Sequence, residues 1–204
     1  MSLTANQGSS IEPVENGNHH GVCVAVIDLG TQYSELFNKS QPKVMLTWEL
    51  VDFPMVDENG KPNGFRLISK EYTSSLHEKA NLYGDLVSWR GVDFTAEELA
   101  GFNIKKVLGA NCLVNVVRVT KNSKTYANVT AVAKLPKAMT PKVATYQMLY
   151  DMDEDVMPIP EGIADWIKDK IKASQEYIAE MGGQANPPDP SDGQVPVDDS
   201  DIPF

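Results

Sequence analysis

Two cysteines and three histidines are all that 204 residues provide of the side chains most used for metal ligation, redox work and nucleophilic chemistry. Cys23 and Cys112 sit inside the apolar runs "GVCVAVIDL" and "NCLVNVV", where a thiol packs as a small hydrophobe, so a disulfide framework is not expected. His19 and His20 fall in a polar opening segment with no cysteine or carboxylate cluster beside them and are expected to be solvated, while His77 lies on a predicted helix without a nucleophile motif nearby. There is no Gly-rich phosphate loop, no H-E-x-x-H and no C-x-x-C. No apolar stretch approaches the ~20 residues that span a bilayer, and no charged-then-apolar signal segment opens the chain. The expectation is a cytoplasmic protein with no membrane contact, a binder rather than a catalyst, with no cofactor and no metal.

Positive charge is also short overall, with 18 Lys+Arg against 28 Asp+Glu, which at face value disfavours a nucleic-acid partner. The distribution along the chain reverses that impression. Residues 1–38 hold four acids and no Lys or Arg; residues 39–150 hold fifteen bases and ten acids; residues 151–204 hold three bases and fourteen acids. A mildly basic body carrying a strongly acidic arm is what a polyanion-binding domain with an acidic tail would show, although a solvated tail that only aids solubility has the same signature.

Hydrophobic periodicity divides the chain further. Residues 1–20 are polar, rich in Gly, Ser and Asn, and predict a flexible leader. "VCVAVIDLG", "KVMLTWELVDF" and "FRLISKEYT" read as three strands, the last two separated by the turn chemistry of "DENGKPNG". A helical block follows in "SSLHEKANLYGDLVSW" and in "DFTAEELAGF", where Thr95 ahead of Glu98 forms a capping-box pattern. "CLVNVVRVT" and "TYANVTAVA", joined by the polar "KNSK", predict a closing hairpin. Three strands, a helical insert and two strands are the order of an OB-fold barrel, so the expected fold is mainly β, an OB-fold domain over 21–150. An acidic linker and one amphipathic helix fill 151–183. That helix should begin near Pro160, carry the stripe Ile163, Trp166, Ile167, Ile171, Ile178 and Met181, and stop at Gly182-Gly183; residues 184–204 are disordered by composition.

The basic body holds the candidate site. On "FRLISKEY", Arg66, Lys70 and Tyr72 share one strand face with Ile68. Arg118, Lys121, Lys124 and Tyr126 cluster around the last hairpin, and Arg90 stands between Trp89 and Phe94. Cations interleaved with aromatics suit single-stranded nucleic acid, because phosphates attract charge and unpaired bases stack on π surfaces. Trp48, amid Val44, Leu46 and Leu50, is expected in the core; Tyr72 and Tyr126 are expected on the binding face.

The stretch "DDSDIPF" resembles the tip of bacterial single-stranded-DNA-binding proteins, in which an acidic run ends in Asp-Ile-Pro-Phe. The body is similar to a family of phage-encoded single-stranded-DNA-binding proteins through "KVMLTWEL", "KEYTSSLHEKANL", "DLVSWRGVDFTAEELAGF" and "KTYANVTAVAKLPK", and "GIADWIKDKIKASQEY" resembles the segment after the barrel. The likeness covers most of 40–180. It departs at Tyr83, Gly84 and Val92, where that family tends to carry basic residues, so no DNA contact is carried over to those three.

The resemblance implies a protein that coats single-stranded DNA without strong sequence preference during phage replication or recombination, with homo-oligomers among the assemblies allowed. It also implies a tip, Asp198, Asp199, Asp201, Ile202, Pro203 and Phe204, that docks replication or recombination partners. Two other readings use the same residues. One is an adaptor that does not bind DNA and docks proteins through the tip and the C-terminal helix. The other is a metal-dependent nuclease built on Asp151, Asp153, Glu154 and Asp155, in a proline-flanked run more typical of a solvated linker.

Overall fold

Strand β1 (Gly17–Ser34) contains an almost unbroken buried run from His20 to Ile27, and β2 (Lys39–Val56) is buried continuously from Val44 to Leu50. A strand with one wet face alternates; a continuous buried run means that both faces are covered. The computed structural model, which describes residues 12–35, 38–154 and 156–182, shows what covers each. It is mainly β, with 43% of the described residues in strands and 20% in helices.

After β2 come β3 (Pro62–Thr73), α1 (Asn81–Arg90), α2 (Ala96–Ala100), a 3-10 turn (Ile104–Val107), β4 (Asn111–Lys121), β5 (Lys124–Lys134), β6 (Met148–Tyr150), α3 (Asp165–Lys172) and α4 (Gln175–Glu180). Five strands follow the order β3-β2-β1-β4-β5, each antiparallel to its neighbour, and β6 adds a short parallel pairing to Ala25–Ile27 of β1. The predicted helical insert thus lies between β3 and β4. Its capping box is present: Glu98 N donates to Thr95 Oγ1 (3.2 Å) and Thr95 N to Glu98 Oε2 (3.0 Å).

The inner face of the curled sheet packs Trp48, Leu46, Leu50 and Tyr72 against Val114, Val116 and Val132, closed by Leu82, Leu86 and Trp89 of α1. Cys23 and Cys112 join this core, where burial pushes the Cys23 thiol up to about 12 and the Cys112 thiol well above its ordinary value. Neither thiol is a usable nucleophile there. The outer face of β1 and β2 forms a second core: Ala25, Ile27, Leu29 and Met45 pack against Tyr150, Met152, Ile163, Ile167 and Ile171. Residues beyond β5 therefore act as a strap across the sheet.

Two expectations change here. The strand enters the expected leader, since Gly17–His20 pair with Leu113–Val116 of β4. His20 is consequently buried rather than solvated, its Nε2 donating to Asn111 Oδ1 at 2.7 Å, and Val14 is buried in the inner core. The single C-terminal helix is instead two. Ser174 breaks it by turning out to cap α4, its Oγ accepting from Tyr177 N, and Trp166 stays 41% exposed beside the buried Ile163, Ile167 and Ile171. Gly30 permits this close approach: at φ +65 it has no Cβ, and one there would lie 2.6 Å from Ser174 Cβ and Glu176 Oε2.

Carboxylates hold the strap. Glu176 accepts from Thr31 N and Oγ1 (2.7 and 2.6 Å), Glu71 pairs with Lys170 (2.5 Å), and Glu49 accepts from Thr145 N (3.1 Å) and Thr145 Oγ1. Asp28 beneath them is different. Its desolvation raises its pKa, reinforced by Asp151 and Asp153, against the lowering bonds from the Gly30 and Met152 N–H groups. A folded-state pKa above the unfolded one means that the charged form costs stability at neutral pH, and that stability is gained as pH falls through the raised value toward the unfolded one, near ~3.9. Asp28→Asn is therefore expected to raise the thermal midpoint at pH 7, with its advantage over the parent shrinking on acidification toward pH ~4. A midpoint difference that is constant with pH would refute this account.

Candidate nucleic-acid interface

Of the eight cations and aromatics expected to contact DNA, five are committed to contacts within the protein. Arg66, Ile68, Lys70 and Tyr72 do share one face of β3, but it is the inner face, in register with Leu50, Trp48, Leu46 and Val44. Tyr72 is 1% exposed and donates to Asp85 Oδ2 at 2.7 Å; Lys70, whose side chain is 11% exposed, pairs with the same oxygen at 3.0 Å. Tyr72 is a core residue rather than a stacking surface, and Lys70 is a part-buried ion-pair partner of Asp85 rather than a free phosphate contact. The physical reason is Asp85 on α1, which satisfies both polar ends inside the fold and also accepts from Val132 N at 3.2 Å.

Arg66 and Arg118 clamp the segment that precedes β1. Arg66 Nη2 donates to the Glu12 carbonyl; Arg118 Nε and Nη2 donate to the carbonyls of Val14 (2.9 Å) and Pro13 (2.5 Å), and its guanidinium lies 3.3 Å from the Glu12 carboxylate. Arg90 pairs with Glu98 at 2.6 Å and stacks over Phe94 and Phe102, 4.5 and 5.3 Å from the ring centroids. The Glu98 carboxyl is held below its ordinary pKa chiefly by that arginine. These three arginines build the fold.

Lys121, Lys124 and Tyr126 remain, all exposed on the β4–β5 hairpin. Asn122 and Ser123 form its two-residue turn with φ of 50 and 63, the left-handed pair that matches the twist of the flanking strands. That turn sets Lys121 opposite Lys124, Val119 opposite Tyr126 and Val117 opposite Asn128, so all six share one face. Tyr126 is 46% exposed, and Val117 and Val119 are exposed beside it. No carboxylate among the described residues pairs with either lysine. The result is an apolar and aromatic platform with two free cations at its tip. Val117 and Val119 were hidden in the sequence because "LVNVVRV" does not say which phase faces out beyond the bulge at Asn115/Val116.

Elsewhere, Asp151 and Glu154 converge on Lys105 Nζ at 2.6 and 2.5 Å, and among the described residues no three His, Cys, Asp or Glu side chains are grouped to hold a metal ion. No helix among the described residues is long and apolar enough to cross a membrane. Asp155 and the tip residues Asp198, Asp199, Asp201, Ile202, Pro203 and Phe204 lie outside the described residues. No protein-family model matches the chain, and no curated protein matches it.

Proposed function

We propose that this protein binds and coats single-stranded DNA without strong sequence preference, on an OB-fold barrel, in phage DNA replication or recombination within the bacterial cytoplasm. The strand order β3-β2-β1-β4-β5 and the approach of β3 to β5 support the barrel reading. In such barrels the loop between the fourth and fifth strands is one of the two that bind oligonucleotides. One observation carries the functional reading: the hairpin at that position presents Tyr126 on an apolar face with Lys121 and Lys124 free at its tip. Unstacked bases gain from such a ring, phosphates from such lysines, and neither requires a particular sequence.

The test is a titration of oligo-dT against increasing salt, beside duplex of equal length. Log affinity for the single strand is expected to fall with log salt at about 0.7 per phosphate neutralised, and duplex is expected to bind more weakly because its bases are already stacked. Equal affinity for the two forms, or no response to salt, defeats the reading.

The acidic stretch with Ile202 and Phe204 is the partner-docking element of this proposal, since two apolar side chains behind Asp198, Asp199 and Asp201 suit a basic pocket with an apolar floor. Phe204→Ala is expected to abolish capture of replication or recombination proteins while oligo-dT affinity stays unchanged. Retained capture removes the tip from the proposal.

A further inference from the structure

At the far end of β5 from the hairpin turn lies an open cleft of about 740 Å³, within the range of small-molecule and nucleotide sites. Leu86, Trp89 and Arg90 of α1 form one side, Phe102 and Lys106 another, and residues 134–141 the third. Its charge is one-sided. Arg90, Lys106, Lys134 and Lys137 line it against a single carboxylate, Glu98, which is already bound to Arg90. No carboxylate among the described residues pairs with Lys106, Lys134 or Lys137.

Two further features prepare this cleft for an anion. The guanidinium of Arg90 is fixed beside the cleft over Phe94 and Phe102, 4.5 and 5.3 Å from the ring centroids, which adds a rigid positive charge to its wall. Gly91, which ends α1 at φ +70, leaves the space through which Lys134 crosses the helix end; a Cβ there would lie 2.9 Å from Lys134 Cδ. The remaining lining is largely apolar, with Leu135, Met139 and Pro141 facing Leu86 and Trp89.

From these observations we infer that the cleft is a second nucleotide anchor, taking one unstacked base of the same DNA strand against its apolar wall while the adjoining phosphates meet Lys106, Lys134 and Lys137. The inference rests on the single-strand-binding reading above and extends it. Proximity favours DNA over an acidic peptide: β5, at the end of the strand order, runs from Lys124 at the hairpin tip to Lys134 at the cleft, a span of about 33 Å at ~3.3 Å per residue. Although Lys134 lies on the α1 side of β5 and Tyr126 on the opposite face, one strand passing over the edge of β5 can reach both sites.

The experiment compares the full chain with Lys134→Glu/Lys137→Glu, using labelled oligo-dT of about twenty nucleotides, long enough for any single OB domain. The double variant is expected to lose roughly tenfold or more in affinity, and its salt slope to fall by about 1.4, two phosphates at ~0.7 each. Its thermal midpoint should hold, since neither lysine is buried or paired. Lys168→Glu/Lys172→Glu on α3 changes net charge equally and is expected to have little effect; an equal loss from that control is a whole-molecule charge effect and overturns the inference. So does unchanged affinity and slope in the cleft variant, which leaves the hairpin reading standing. Failure of the parent chain to bind any single strand sinks both. A synthetic peptide of residues 195–204 that binds the parent but not the cleft variant, while oligo-dT binds both alike, assigns the cleft to an acidic peptide and also overturns it.

Discussion

Asp85→Ala is expected to cost about 3–5 kcal/mol, enough to take a large share of the ~5–15 kcal/mol that holds a domain together. One carboxylate serves three donors: Lys70 Nζ, the Tyr72 hydroxyl and the backbone N–H of Val132. Removing it leaves a largely desolvated ammonium ion without a counter-charge, a buried phenol without its acceptor, and a broken link between α1 and β5. Loss of partnership at a buried charge is the costly event, more than loss of the pair itself. Tyr72→Phe, which keeps the ring and removes only the hydroxyl, is expected to lose about 0.5–1.5 kcal/mol, and Tyr72→Ala about 3–5 kcal/mol through the cavity it opens. Urea unfolding of the three variants checks this order. If Tyr72→Ala left stability intact and weakened oligo-dT binding instead, the ring would belong to the interface and the inward assignment of this face of β3 would be wrong.

Strand β3 shows what periodicity can and cannot supply. Alternation placed Arg66, Ile68, Lys70 and Tyr72 on one face and Phe65, Leu67 and Ser69 on the other, and the register agrees. It could not say which face is inside, and the more polar one is, because a helix fifteen residues downstream brings Asp85 to meet it. Leu67, on the face that looks like core, is exposed instead. A tertiary partner thus overrode the local pattern. The same limit hid the strap. The unbroken burial of β1 comes from two covered faces, yet nothing local in the sequence names residues 148–171 as the second cover. Where the controlling chemistry was local, the sequence was sufficient. Thr95 and Glu98 cap one another three residues apart, and "KNSK" makes a two-residue turn with both central residues at positive φ.

That turn is why Tyr126 is the aromatic on which the functional reading depends. Its ring is half exposed, opposite Val119, and contributes little to either core, so Tyr126→Ala is expected to leave the thermal midpoint nearly unchanged while weakening oligo-dT binding by about 1–3 kcal/mol, the range for a base stacked on one aromatic. Tyr126→Phe keeps the π face and should bind almost as the parent does. Lys121→Glu/Lys124→Glu acts on the other half of the interaction: it should weaken binding most at low salt and lower the salt slope by about 1.4, for two phosphates at ~0.7 each. The two perturbations are therefore separable, one changing affinity at every ionic strength and the other changing its dependence on ionic strength. Combined in one chain, they leave the platform without ring or charge, and binding to short oligo-dT is expected to fall by more than either alone. A triple variant that binds like the parent would remove this hairpin from the interface.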